Sequence, residues 1–282
     1  MRKEIVTVDR DKGVIRITTD DQRFYSKPGR DKVSGAPVMI DVPSVTWITS
    51  YVTSPFLDEW REAMGGEAAD AYMKFRGSRG LKVHEACTMV MSGQVIDCER
   101  TLFYNELKDC AEGLTGSEIE CVIAFKDWYE AATSGQLWEK DKDAEKKGRR
   151  VLPSGFEVLG WNENLWHPDD LYAGTLDIRA KRLDDGSEGV IDIKTSKGVY
   201  DSHRAQVKAY QRCRPEFKWA GILRLGADSK RGWFYEEVDD RFFECFDNAY
   251  RDWKFRNNGV KPFQKDYPLT LSLQNPPLRQ EE

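Results

Sequence analysis

The sequence is poor in histidine and has no paired cysteines. Only three histidines occur in 282 residues, at His84, His167 and His203. The six cysteines are Cys87, Cys98, Cys110, Cys121, Cys213 and Cys245, and none forms a C-x-x-C pair. That spacing argues against a zinc knuckle and reads as structural thiols in a reducing compartment. No G-x-x-x-x-G-K-[ST] run is present, so the chain carries no ATP-driven motor of the phosphate-loop kind. No apolar run approaches the roughly 20 residues of a membrane-spanning helix, and Met1-Arg2-Lys3-Glu4 does not open a signal peptide. A soluble, intracellular protein is expected. An excess of basic charge is missing too. With 43 Lys and Arg against 48 Asp and Glu, the net charge is −5, which argues against a protein that coats DNA by charge alone.

What is present suffices for a large core, with 40% hydrophobic residues, and mixes both structural periods. Residues 4–19 read as a hairpin around Asp9-Arg10-Asp11-Lys12-Gly13, so 1–42 is expected to be a hairpin-and-loop extension. Pro43-Ser44-Val45-Thr46 leads into helix. Residues 56–75 carry apolar side chains at helical spacing, Gly77 to Gly80 predicts a break, and further helices are expected over 81–91 and 116–132. Residues 139–150 are almost all charge and read as an exposed connection. Strands are expected over 156–161, 172–181, 222–225 and 232–238, and helices over 201–214 and 241–257, with Pro215 ending the former. Residues 43–262 are then one α/β domain, and 263–282 a partly disordered tail. Trp47, Trp60, Trp128 and Trp253 lie on helical patterns and read as core; His167 and His203 read as surface residues.

The chemistry concentrates in two segments, Gly174-Thr175-Leu176-Asp177 and Asp192-Ile193-Lys194-Thr195, on either side of an Asp-Asp-Gly turn. They read as an antiparallel hairpin. Asp192 and Lys194 are two apart and leave the same face. Asp177 joins that face only if the paired residue numbers sum to an odd number, for example with Asp177 opposite Asp192, which predicts a four-residue turn, Leu183 to Gly186, or a bulge that restores the parity; a one-residue slip would send Asp192 to the other side. Two acids and an amine so placed can hold a divalent metal beside a phosphodiester. An ordinary cross-strand ion pair is the competing reading. Downstream, Lys197, Arg204, Lys208 and Arg212 form a locally basic stripe that reads as a solvated face or, beside such a site, a phosphate track.

Two further pieces complete a pattern. Twelve residues past Lys194 stands Gln206-Val207-Lys208-Ala209-Tyr210, a Q-x-x-x-Y run, and upstream stands Gly80-Leu81-Lys82-Val83-His84, a G-x-x-x-H run. The four pieces in this order resemble the PD-(D/E)XK nuclease superfamily, in its RecB-like and phage exonuclease branch, over residues 43–250. The resemblance implies a restriction-endonuclease-like core, with a central mixed β-sheet flanked by helices. It implies a Mg²⁺- or Mn²⁺-dependent deoxyribonuclease, with Asp177, Asp192, Lys194, Gln206 and Tyr210 as catalytic residues. His84, Asp177, Asp192 and the carbonyl of Ile193 would be metal ligands, and Glu163 is a candidate second-site acid or simply part of a polar turn. Iron–sulfur relatives place three cysteines after the Q-x-x-x-Y helix; here only Cys213 and Cys245 follow, which argues against a cluster. The expected role is a stand-alone exonuclease of DNA ends in recombination, repair or phage DNA processing, in the cytoplasm of a bacterium or phage-infected host. A recombination or annealing protein, or further copies of the chain, are the partners it would have. The alternatives are an endonuclease or nickase with the same site, or an inactive nucleic-acid-binding protein on this scaffold.

Overall fold

A computed structural model describes residues 4–19, 22–137, 154–226 and 232–257; the expectations for 139–150 and 263–282 lie outside them. The chain opens with four strands, β1 (Glu4–Asp9), β2 (Val14–Thr18), β3 (Arg23–Arg30) and β4 (Pro37–Pro43), then three helices, α1 (Val45–Thr49), α2 (Pro55–Met64) and α3 (Gly66–Met91). A small hairpin, β5 (Phe103–Asn105) and β6 (Cys110–Glu112), precedes α4 (Gly116–Thr133). There follow β7 (Phe156–Trp161), the short strands β8 (Asn164–Trp166) and β9 (Ala173–Thr175), and the hairpin β10 (Ile178–Arg182) and β11 (Glu188–Lys194). Helix α5 (Asp201–Arg212), β12 (Phe217–Leu225), β13 (Trp233–Glu237) and α6 (Phe242–Arg256) complete it.

The central sheet has the order β13-β12-β11-β10-β7. β11 and β12 are parallel, with α5 as the connection such a pair needs. The other pairs are antiparallel, so the sheet is mixed. Its two faces alternate along each strand. Val190 and Ile222 join Ile48, Val207 and Phe246 on the α1, α5 and α6 side. Ile191, Ile193 and Leu223 join Val83, Phe125 and Trp128 on the α3 and α4 side. Both faces are thus covered by helices, which is why β11 reads as a nearly continuous apolar run broken by Asp192. No helix among the described residues is long and apolar enough to cross a membrane.

Three expectations need correction. The extension is a four-stranded antiparallel sheet in the order β1-β2-β3-β4, with β3 and β4 where a loop was expected. Pro28 and Gly29 inside β3, and prolines at both ends of β4, hid the strand signal. This sheet packs Val14, Tyr25 and Val42 against Ala173 of β9. Secondly, Gly77 to Gly80 does not break the helix: α3 runs through it. The break comes at Gly65, whose φ of 82° a side chain would strain. Thirdly, α2 has no buried residue, so Trp60 lies outside the core, its ring tilted against Tyr72 with centroids 5.6 Å apart. Trp128 and Trp253 are core, and Trp47 meets Trp253 edge-on at 5.1 Å.

Helix α3 is fixed to α4 and the β5–β6 hairpin by a buried ion triad. The Lys82 ammonium lies 2.7 Å from Glu112 and 3.0 Å from Glu118. Lys82 and Glu118 are almost fully buried, so removing the ammonium strands a carboxylate. Lys82→Met is therefore expected to cost about 3–5 kcal/mol. Hydrogen bonds from Lys108, Lys82 and Asn105 hold the Glu112 carboxyl down to about 2, against an ordinary value of 4.5. A depressed acid contributes stability that is present above its unfolded value and is lost as pH falls through its folded value. Urea unfolding of wild type and Glu112→Gln should show a stability gap that narrows between pH 4.5 and about pH 2; a pH-independent gap contradicts this.

Candidate active site

The hairpin register sets the site. β10 and β11 pair Ile178 with Ile191 and Lys181 with Glu188, and Arg182 N–H reaches Ser187 O at 3.0 Å to close the four-residue turn Leu183 to Gly186. Continued one residue outward, this register puts Asp177 opposite Asp192, the parity that lets both acids share a face. Asp177 lies just before β10, where the ladder ends. Its Oδ2 accepts the Ile193 N–H at 2.7 Å in place of a strand carbonyl. The structure's contact for Ile193 is thus this N–H.

Three elements converge on the two acids. From β11, the Lys194 ammonium sits 2.7 Å from Asp192 Oδ2. From α5, Gln206 Oε1 accepts from Lys194 Nζ at 3.0 Å, and Gln206 Nε2 donates to Tyr210 Oη at 2.8 Å. The i, i+4 spacing puts the two α5 side chains on one face. The Tyr210 ring lies against Gly174, where a Cβ would overlap it. From α3, His84 Nδ1 lies 3.2 Å from Asp177 Oδ1. His84 is part of a stripe at fourfold spacing. Arg76 donates to Thr195 O at 2.8 Å, Gly80 lies beside Thr195, and Thr88 Oγ1 accepts from Asn162 at 2.9 Å.

The electrostatics follow from burial and pairing. Burial pushes the Asp192 carboxyl up to about 6; the Lys194 ammonium pulls it down and the Asp177 carboxylate pushes it up again. Burial raises Asp177 as well, but His84 and Lys194 outweigh it and leave the carboxyl below its ordinary value. His84 is lowered by burial yet raised on balance by Asp177. Burial carries the Tyr210 hydroxyl far above its usual range, so it stays a neutral hydrogen-bonding group.

Two sets of expected residues behave differently. Arg204 is held by Glu236 at 2.6 Å and Asp201 at 2.9 Å. Lys208 is buried, 2.6 Å from Asp240, and Arg212 pairs with Asp247. These three pair with acids from β13, α6 and the turn between them, so much of the stripe's charge is compensated within the chain. Lys197 alone of the four is exposed without such a pair. Glu163 comes near through its backbone, its carbonyl accepting from Leu176 N–H at 2.9 Å. Its carboxylate, however, is clamped by Arg179 and Arg214, each at 2.8 Å, rather than offered to a second metal.

His203 is half-buried rather than fully at the surface. Its Nδ1 accepts the Tyr200 N–H at 3.3 Å at the start of α5. Burial, with help from Lys194 and Arg204, lowers the ring to about 3, so it is neutral. Its spacing of three before Gln206 was the available signal. His167 packs its ring at 4.7 Å on Tyr172.

The two carboxylates are hard oxygen donors of the kind a divalent cation takes, with an imidazole as a softer neighbour. Asp192 Oδ2 is buried without an aligned hydrogen-bond donor, its counter-charge being the Lys194 ammonium, and a buried oxygen so placed favours a cation. The side chains are drawn onto one another in pairs, and among the described residues no three His, Cys, Asp or Glu groups converge on one point. Metal binding would therefore require Asp177 and His84 to separate. No protein-family model matches the chain, and no curated protein matches its sequence.

An acid whose folded value is raised contributes stability that is complete below its unfolded value of 3.8 and is lost as pH rises through about 6. In EDTA at neutral pH, Asp192→Asn should therefore melt no lower than wild type, with its advantage closing as pH falls toward 3.8. Mn²⁺ should raise the wild-type Tm and leave that of Asp192→Asn unchanged. A wild-type Tm indifferent to Mn²⁺ and Mg²⁺ would rule out the cation site.

Proposed function

We propose that the protein is a metal-dependent DNA nuclease of the PD-(D/E)XK type with a restriction-endonuclease-like core, acting as an exonuclease on DNA ends. The observation that carries the reading is the contact chain His84–Asp177–Ile193 and Asp192–Lys194–Gln206–Tyr210. It joins all four motif pieces, drawn from separate parts of the sequence, around one strand end. A charged strand face arising by chance would not recruit an imidazole from α3 and an amide from α5.

His84, Asp177, Asp192 and the Ile193 carbonyl are the groups that would hold Mg²⁺ or Mn²⁺. Such an ion supplies an activated water and neutralises charge on the phosphate. The residues' own work is positional and electrostatic. Lys194 presents an ammonium beside Asp192, able to orient an attacking water or to offset charge building on the phosphoryl oxygens. Gln206 fixes that ammonium, and Tyr210, seated against Gly174, fixes Gln206. Ile193 N–H anchors one oxygen of Asp177.

One observation favours a second reading, an inactive nucleic-acid-binding protein: the acids are already compensated by Lys194 and His84. The two are separated by incubating end-labelled linear and covalently closed circular DNA with Mg²⁺, Mn²⁺ or EDTA. Metal-dependent loss of linear DNA alone is expected, with Asp192→Ala and Lys194→Ala slower by about 10²-fold or more. Cutting of closed circles would make it an endonuclease. Failure to cleave with either metal would abandon the enzyme in favour of the binding protein.

A further inference from the structure

The basic side chains of α5 pair with acids, but Arg76 and Arg79 on α3 do not. Among the described residues, neither Arg76 nor Arg79 pairs with a carboxylate. Arg76 donates to the Thr195 carbonyl at 2.8 Å. Arg79 donates to the Ser117 carbonyl at 3.1 Å and to Cys121 Sγ at 3.4 Å, and its Nε is buried with no hydrogen-bond partner. Neutral acceptors orient a guanidinium without cancelling its charge.

The two arginines are three apart on one helix and open onto the same half-enclosed cavity of ≈ 140 Å³, between α3, the β5–β6 hairpin and the first turn of α4. Cavities of about 150 Å³ hold a benzene-sized guest, so a phosphate group fits. Four cations line the cavity against two carboxylates. Glu112 and Glu118 are already committed to Lys82 and Lys108. Arg76 and Arg79 therefore leave the cavity net positive, and the N-terminal end of α4 adds to that potential.

We propose that this cavity is a phosphate-binding subsite in which Arg76 and Arg79 neutralise an oxyanion. Its position says which phosphate. Arg76, one wall of the cavity, also holds the carbonyl of Thr195, the residue after Lys194, at 2.8 Å, which ties the cavity to the strand end that carries Asp192 and Lys194. A nucleic-acid strand lying across the carboxylates would place a neighbouring backbone phosphate there. This assignment of the source rests on the nuclease reading; the anion site itself does not.

Two probes separate the two. Labelled single- and double-stranded oligonucleotides are titrated in EDTA at several salt concentrations. Arg79→Gln and Arg76→Gln should each weaken binding by about tenfold and reduce the slope of log affinity against log salt by about one charge, with Arg79→Lys restoring part of both. Inorganic phosphate is titrated separately, with Tm as the readout. It should stabilise wild type and not Arg79→Gln. Stabilisation by phosphate without any oligonucleotide binding would keep the anion site, make free phosphate its ligand and remove the strand assignment along with the nuclease reading. Natively folded variants indistinguishable from wild type toward both probes would overturn the subsite. Should Arg79→Gln fail to fold, Arg76→Gln and Arg79→Lys carry the same comparison.

Discussion

One hydrogen bond organises the site: the Ile193 N–H donated to the Asp177 carboxylate. It forms because β10 begins one residue too late to pair with β11 at that level, leaving a strand N–H for a side chain to satisfy. Satisfying it commits Asp177 to the end of the ladder, opposite Asp192. The four-residue turn between the strands makes that opposition possible, since one residue more or less would turn Asp192 toward the α3 and α4 side, among Ile191, Ile193 and Phe125. The acid pair is thus a consequence of register. The buried cost of Asp192, visible in its raised carboxyl, is what the Lys194 ammonium offsets.

Around that point the sequence is locally uneconomical, in a way that makes sense only with the site in view. Gly174 leaves room for the Tyr210 ring. Lys82 is buried and needs two carboxylates to hold it. Each is an unfavourable local choice compensated by contacts across the molecule, and together they bring α3 and α5 up to the two sides of one strand end.

Much of this was legible in the residues and some was not. The strand pair, its turn and its parity follow from the alternation of 176–194, because a side-chain period of two leaves few registers that bury the apolar set. The five-stranded sheet and the helices over 116–133 and 242–256 follow from period as well. The N-terminal sheet did not, because proline and glycine within β3 and at the ends of β4 imitate loop composition while the strands sit where a missing N–H is tolerated. The continuity of α3 through Gly77 and Gly80 did not either, since propensity acts over a few residues and tertiary packing overrides it. Pairwise chemistry was the hardest to read. Glu163 was a free acid in the sequence, but Arg179 and Arg214 reach it from β10 and the end of α5, a meeting that no spacing announces.

The basic stripe of α5 teaches the same lesson about charge. Arg204, Lys208 and Arg212 recur every fourth residue, the pattern of one helix face. In the sequence nothing distinguishes a face turned to solvent from one turned to the neighbouring element. The acids Glu236, Asp240 and Asp247 stand 32 to 35 residues away, and the fold returns them to that face as β13 and α6 pack beside α5. Net positive potential near the site is then decided by which of the neighbouring cations find no carboxylate. Arg76 and Arg79 belong to the longest helix, with main-chain carbonyls and a thiol for company. On the proposed reading, a strand of phosphates approaching Asp177 and Asp192 would meet uncompensated charge from α3, on the His84 side of the site, rather than from the more basic-looking helix on the other. The internal pairing of α5 would then shape the direction of approach as much as the arginines left over on α3.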